Sequence, residues 1–220
     1  MTEEEWLTPG DLNRHVEYLW ALNLARKLRL FGTACCRQME PWVNEPVLLD
    51  AIQRAEDYAD GNISDSTIMK WRQKVNRWEN ERLRNGGKPG PLSAICCDIS
   101  TVCLENRYAS YTLIWRTLTF QSAQFGGDIA RRGPGLADTL LRDIFGNPFR
   151  PVAFDLEWRT SSAVQLARGM YDARDFAPMP VLADALQDAG CEHADILAHC
   201  RGPGPHVRGC WVVDLVLGKE

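Results

Sequence analysis

Apolar residues along this 220-residue chain recur at intervals of three and four positions, and strict apolar–polar alternation is nearly absent. That period is typical of α-helices that bury one face, whereas alternation would indicate strands. Glycine- and proline-rich breaks separate the periodic segments, which cover 12–20, 24–39, 47–59, 68–78, 92–103, 108–125, 136–145, 164–171, 181–189, 194–197 and 207–217. The pattern predicts an all-α fold, a multi-helix bundle or helical array of about nine to eleven helices with little or no sheet.

Glycine and proline cluster at Gly126-Gly127 and again at 131–135 (RRGPG), where apolar residues become sparse. Such clusters indicate a boundary between regions. We therefore expect an N-terminal helical region, 1–130, and a C-terminal helical region, 131–220, packed together as one globular unit. Within the second region, the segment 145–151 (FGNPFRP) is apolar but fixed by prolines, so we expect it to run extended across the helices.

Composition places the chain among ordinary globular proteins, because hydrophobic residues make up 45% and charged residues 25%. The formal net charge of −4 creates no global attraction to nucleic acid or an anionic membrane, so any such binding must be local. No apolar run reaches the roughly 18 residues of a membrane span, and the start of the chain is acidic. We expect a cytoplasmic protein of bacterial type, without a membrane partner, whose eight cysteines are reduced thiols.

Several segments resemble an uncharacterised family that is duplicated many times in planctomycete genomes. They are 140–152 (LLRDIFGNPFRPV), 181–219 (VLADALQDAGCEHADILAHCRGPGPHVRGCWVVDLVLGK), 1–7 (MTEEEWL) and 26–37 (RKLRLFGTACCR), about a third of the chain. A fainter similarity, over 181–190, is to a short segment that accompanies repeats in proteins of the same bacteria. The resemblance implies a bacterial, cytoplasmic, helical protein, and it carries over no catalytic residue.

Cysteines and histidines are dense between residues 191 and 210. The candidate metal ligands are Cys191, His193, His199 and Cys200, and the candidate catalytic residues are Cys210, His206, Asp195 and His199. Zinc favours thiolate and imidazole ligands, and Asp195 lies four residues before His199 on one helix face, where a carboxylate could orient an imidazole. Cys210 follows His206 by four residues near a helix start, which could activate a thiolate nucleophile. The alternative is a surface ion pair with buried structural thiols, and the ligand spacing favours that alternative.

The vicinal pairs Cys35-Cys36 and Cys96-Cys97 could in principle form a four-thiolate site. Adjacent helical residues point about 100° apart, however, so one pair does not easily face one ligand. Cys96 and Cys103 share a helix face, as packed core residues would. We expect these thiols to serve packing.

The segment 70–88 is locally basic, with seven basic residues against Glu79 and Glu81. The candidate nucleic-acid contacts are Lys70, Arg72, Lys74, Arg77 and Arg84. Trp71 and Trp78 interleave with them, and cations with aromatic rings can neutralise phosphates and stack on bases. The tryptophans are also seven residues apart, as a core seam requires, which would leave the cations on a solvated face.

No phosphate loop, dinucleotide fingerprint, HExxH helix or GxSxG elbow is present in the sequence. We therefore expect a non-enzymatic helical protein-interaction module without a cofactor. Its protein partner would dock on surfaces that include 145–151 and the Gly-Pro-Gly-Pro turn at 202–205. The alternatives are a cysteine- or zinc-dependent enzyme centred on residues 191–210 and a nucleic-acid binder that uses the basic helix 70–88.

Overall fold

The structure is a computed structural model that describes residues 1–8, 12–38, 40, 45–87 and 127–219. Within these ranges the chain forms ten α-helices, one short 3₁₀-helix at Leu156–Trp158 and no strand, which confirms the all-α prediction. The α-helices are α1 (Glu3–Leu7), α2 (Leu12–Ala21), α3 (Ala25–Arg37), α4 (Pro46–Ala59), α5 (Asp65–Arg84), α6 (Gly127–Phe145), α7 (Ser161–Ala173), α8 (Met179–Asp188), α9 (Ala194–Arg201) and α10 (Trp211–Leu217).

The chain divides into two compact units, Met1–Asp138 and Thr139–Glu220. The division falls inside α6, which continues through the Gly133-Pro134-Gly135 segment. The sequence placed the boundary near residue 130, before this segment. The expectation that both regions pack as one globular unit stays a prediction.

In the first unit, α3 packs against α4 and α4 packs against α5. Their shared core contains Cys36, Leu48, Ile52 and Val75. The unit begins with a helix that the periodicity did not reveal, α1, which opens with a capping box between Thr2 and Glu5. The predicted helices within 88–126 lie outside the described residues.

Helix α5 begins at Asp65, three residues before the periodic segment 68–78, because the Ser64 side chain accepts a hydrogen bond from the Thr67 backbone N–H. Ile68 and Val75 are buried, whereas Trp71 and Trp78 are partly exposed. The helix therefore buries a narrow seam and leaves its remaining faces to solvent, as predicted.

In the second unit, α8 packs against α7 and α9, and α10 packs against α7. The core includes Leu182, Leu186, Ile196 and Val212, with Trp211 and Trp158 at its edge. Thr160 caps the start of α7 through a hydrogen bond from Ala163 N–H. Directly before this cap, the Arg159 guanidinium donates two hydrogen bonds, of 3.1 and 2.8 Å, to the carbonyl of Leu215 in α10.

The last helix begins at Trp211, so the predicted start at Val207 is wrong. Val207 N–H donates to Asp143 Oδ2 at 2.9 Å, and Cys210 N–H closes a turn onto the Val207 carbonyl. Cys210 itself has φ −47° and ψ 128°, which is not helical. A side chain from another helix thus holds the backbone here in a turn.

The segment after α6 turns where we expected extended chain. Asn147 Oδ1 accepts a hydrogen bond from Phe149 N–H, and Arg150 N–H donates to the Asn147 carbonyl. Asparagine commonly closes such a turn by bonding to the backbone two residues later. Proline content alone did not indicate this.

Among the described residues, no helix has both the length and the apolar character needed to cross a membrane.

Candidate metal centre

Four potential metal ligands from three parts of the C-terminal unit converge. Asp143 lies in the last turn of α6, His199 in α9, His206 in the loop after α9, and Cys210 directly before α10. One ligand atom from each residue lies within 4.8 Å of the others. Residues 56 to 67 positions apart in sequence thus meet at one place.

Asp143 is the centre of the hydrogen-bond network. Its Oδ1 atom lies 2.7 Å from His206 Nδ1 and 3.1 Å from His199 Nε2. Its Oδ2 atom accepts the backbone N–H of Val207, which fixes the plane of the carboxylate. His199 Nε2 also lies 3.2 Å from Cys210 Sγ, so the two imidazoles, the carboxylate and the thiol form one connected group.

The cluster is largely closed to solvent. Asp143 and Cys210 are buried, with 3% and 0% of their surface exposed, and 18% of the His199 side chain is exposed. Burial acts to raise the pKa of the Asp143 carboxyl, but hydrogen bonds from His199 and His206 outweigh it and the net pKa is lowered. Burial and the nearby Asp143 charge raise the pKa of the Cys210 thiol well above its usual range, against the opposing effect of the Val213 and Val212 backbone N–H groups.

The backbone around the cluster has a shape that requires glycine at two positions. Gly204 has φ +69°, and a Cβ there would lie 3.0 Å from the His206 backbone nitrogen. Gly146 has φ +62°, and a Cβ there would lie 3.1 Å from Cγ of Trp211. The Trp211 ring in turn packs on the His199 ring, with centroids 5.1 Å apart. The glycines thus let two neighbours of the cluster approach closely.

The arrangement differs from a nucleophile–histidine–carboxylate relay. In such a relay the imidazole uses one nitrogen for the nucleophile and the other for the carboxylate. Here the same atom, His199 Nε2, faces both Cys210 Sγ and Asp143 Oδ1. Donor atoms from four residues that lie this close together are the geometry of a cation site, and a thiol with no exposed surface is not accessible to a substrate.

The structure brings together some of the predicted residues and separates others. His199, His206 and Cys210 belong to the cluster, whereas the candidate orienting acid Asp195 is exposed on α9. The other three candidate ligands are not members: Cys191 and Cys200 are buried thiols, and His193 precedes α9. Burial, with a smaller contribution from the Cys191 charge, raises the pKa of Cys200 to about 12.

The sequence interpretation missed Asp143, the residue that joins both imidazoles. A signal was present, because Asp143 lies three residues after Leu140 and next to Ile144, within the buried stripe of α6. A carboxylate in such a stripe is rarely buried unless it is paired. The pairing with residues more than 50 positions away had no sequence signature.

Outside the cluster, Cys35 and Cys36 are buried in α3, and Cys96, Cys97 and Cys103 lie outside the described residues. Of the candidate nucleic-acid contacts on α5, Lys70, Lys74, Arg77 and Arg84 are exposed and Arg72 is partly buried.

Together these features define an all-α protein whose C-terminal unit contains a mixed Asp-His-His-Cys cluster. No protein-family model, curated protein or solved structure matches the chain.

Proposed function

We propose that the C-terminal unit binds a zinc ion through Asp143 Oδ1, His199 Nε2, His206 Nδ1 and Cys210 Sγ. The single observation that carries this proposal is the convergence of His199 Nε2 on both Asp143 Oδ1 and Cys210 Sγ, at 3.1 and 3.2 Å. The ion would connect the end of α6, α9 and the turn before α10.

Three of the separations between donor atoms are close to those of a tetrahedral zinc site. Zinc bonds of about 2.0 to 2.3 Å at tetrahedral angles place neighbouring donors about 3.3 to 3.6 Å apart. The donor pairs here, at 2.7, 3.1 and 3.2 Å, need to open by a few tenths of an ångström. The remaining donor pairs, which lie within 4.8 Å of one another, would have to close onto the ion.

The chemistry of the donor set favours zinc over the common hard cations. Magnesium and calcium select oxygen ligands, whereas thiolate and imidazole suit zinc and related transition metals.

The burial of the cluster supports a structural ion in preference to a catalytic one. A catalytic zinc site leaves one coordination position for water or substrate, whereas four protein ligands close a structural site. The protein would therefore be a metal-stabilised helical module. The interaction-module hypothesis stays a prediction. Among the described residues, the exposed large apolar side chains that could contact a partner lie outside the two predicted docking segments, 145–151 and 202–205.

Metal analysis of the purified full-length chain, prepared without a polyhistidine tag, tests the proposal. We expect one zinc per chain, and a visible Co²⁺ spectrum with a sulfur-to-metal charge-transfer band after exchange. Adding zinc at about 100 times its dissociation constant should stabilise the chain by about 2.7 kcal/mol. Cys210→Ala and His206→Ala should lose the stoichiometric ion.

Cys191→Ala is the matched control, because Cys191 is an equally buried thiol of the same unit outside the cluster. It should retain one zinc and the charge-transfer band. Circular dichroism of each variant establishes that the helices are still formed. A wild-type chain that binds no stoichiometric zinc or cobalt, or a Cys210→Ala variant with an unchanged cobalt spectrum, would refute the proposal.

A further inference from the structure

Helix α5 of the N-terminal unit carries a stripe of four exposed cations, Lys70, Lys74, Arg77 and Arg84, which we call the basic stripe. Their spacings of four, three and seven residues place them within about 80° of the helix circumference. The buried positions Ile68 and Val75 lie on the far side of the helix. The cations thus share the solvent face of α5, with Glu81 between Arg77 and Arg84.

The cations of the basic stripe have no ion-pair partner among the described residues. The acidic residues of α5 are engaged elsewhere, since Glu79 binds Arg82 through two hydrogen bonds and Asp65 accepts the Tyr58 hydroxyl. Glu81 is the one carboxylate that falls within the stripe. Within α5, the four exposed cations therefore share their face with a single carboxylate.

The stripe runs over 14 residues, about 21 Å at the rise of an α-helix. A duplex nucleic acid presents one charge per 3.4 Å of axis on each strand, so several phosphates in a row fit this length. Arg72 does not belong to the stripe, because it projects from the other side of α5 and its guanidinium contacts the Met69 sulfur.

Neither of the two tryptophans beside the stripe is free to stack on bases, since the Arg82 guanidinium lies 5.8 Å from the Trp78 ring centroid and Trp71 is covered by two cations. The Lys74 ammonium lies 4.0 Å from the Trp71 ring centroid, and the Arg54 guanidinium lies 5.7 Å from it. Proteins that bind single strands rely on open aromatic faces, whereas duplex backbones are bound through phosphate contacts. Met69 is the one exposed large apolar side chain of α5, so the helix also lacks the apolar face that inserts into a membrane surface.

We propose that the basic stripe on α5 binds the phosphate backbone of a nucleic acid duplex, without reading its base sequence. Each of the four cations would contact one phosphate and release its condensed counterion. Binding should therefore depend on salt and not on sequence.

Fluorescence anisotropy with a labelled DNA duplex of about 20 base pairs tests this proposal on the full-length chain. Four phosphate contacts predict a slope of about −3.6 for log affinity against log salt, or about 150-fold weaker binding between 50 and 200 mM salt. The triple variant Lys70→Gln, Lys74→Gln, Arg77→Gln should lower the slope to about −0.9 and nearly abolish binding at the higher salt. A duplex of scrambled sequence should bind with the same affinity.

Arg168→Gln supplies the matched control, because Arg168 is an exposed arginine on α7 without an ion pair among the described residues. It should change affinity by less than about twofold. Absence of duplex binding at low salt, an equal loss in Arg168→Gln, or an unchanged slope in the triple variant would overturn the proposal. Tighter binding to a single strand, or to vesicles of anionic phospholipid, would overturn the choice of partner.

Discussion

Replacing Asp143 with alanine should destabilise the C-terminal unit even in the presence of a chelator. The substitution removes the acceptor of three hydrogen bonds, from His206 Nδ1 at 2.7 Å, Val207 N–H at 2.9 Å and His199 Nε2 at 3.1 Å. Because Asp143 is 97% shielded from solvent, water cannot fully replace these bonds. Removing one member of a buried charged network costs about 3 to 5 kcal/mol, two to four orders of magnitude in the unfolding equilibrium.

Buried thiols provide a local assay for this loss. Cys191 and Cys200 are fully buried in the C-terminal unit, so a thiol reagent modifies them only when that unit opens. The wild type and Asp143→Ala would be incubated in EDTA across a urea series, pulsed with the reagent, and analysed by mass spectrometry at each cysteine. The urea concentration at which half of each thiol is modified should be markedly lower in the variant than in the wild type.

Asp172→Ala is the control, because Asp172 is an exposed carboxylate on α7. Its urea midpoint should match that of the wild type. A loss below about 1 kcal/mol in Asp143→Ala, no larger than that in the control, would refute our account of the buried network.

Three further predictions concern the C-terminal unit. Burial raises the pKa of Cys200 to about 12, so iodoacetamide should leave Cys200 of the folded protein unmodified at pH 8. The contribution of the neutral Cys200 thiol to the free energy of unfolding should be lost as the pH rises from 9 to 12. Rapid alkylation of Cys200 in the folded protein would contradict this prediction. Gly146→Ala should lower the thermal midpoint by several degrees, a cost of about 1 to 3 kcal/mol from its left-handed backbone and the contact with Trp211, whereas an unchanged melting curve would contradict that strain. Arg159→Ala should weaken hydrogen-exchange protection across 211–217 by about 1 to 3 kcal/mol while α8 stays protected, because the Leu215 carbonyl loses two guanidinium N–H donors and keeps the longer bond from Gly218 N–H. Equal loss of protection in α8 would indicate global unfolding instead.

The helices could be predicted because periodicity and capping are local properties of the chain. Ser64 caps α5 and Gly190 follows α8, and signals of this kind depend on only a few neighbouring residues. The start of α10 could not be predicted in the same way. It depends on Asp143, whose carboxylate accepts the Val207 N–H and holds this residue in the turn before the helix.

The candidate site was predicted only in part, because local signals reveal the residues that are close in sequence and not the one that comes from a distant helix. The density of histidine and cysteine in 191–210 led to His199, His206 and Cys210, which lie within 12 residues of one another. Spacing then suggested Asp195 as the carboxylate, because it shares a helix face with His199. The actual acid comes from α6, and only the packing of α6, α9 and the following loop determines that choice.

The tight backbone at Gly204 affects how a saturation mutagenesis experiment on this loop should be read. Every other residue type at position 204 would carry a strained φ of +69° and would press against the backbone of His206. Such a scan would therefore score Gly204 as intolerant as the histidine beside it. Intolerance to substitution at position 204 would reflect the backbone conformation of the loop and would not indicate that Gly204 takes part in metal binding.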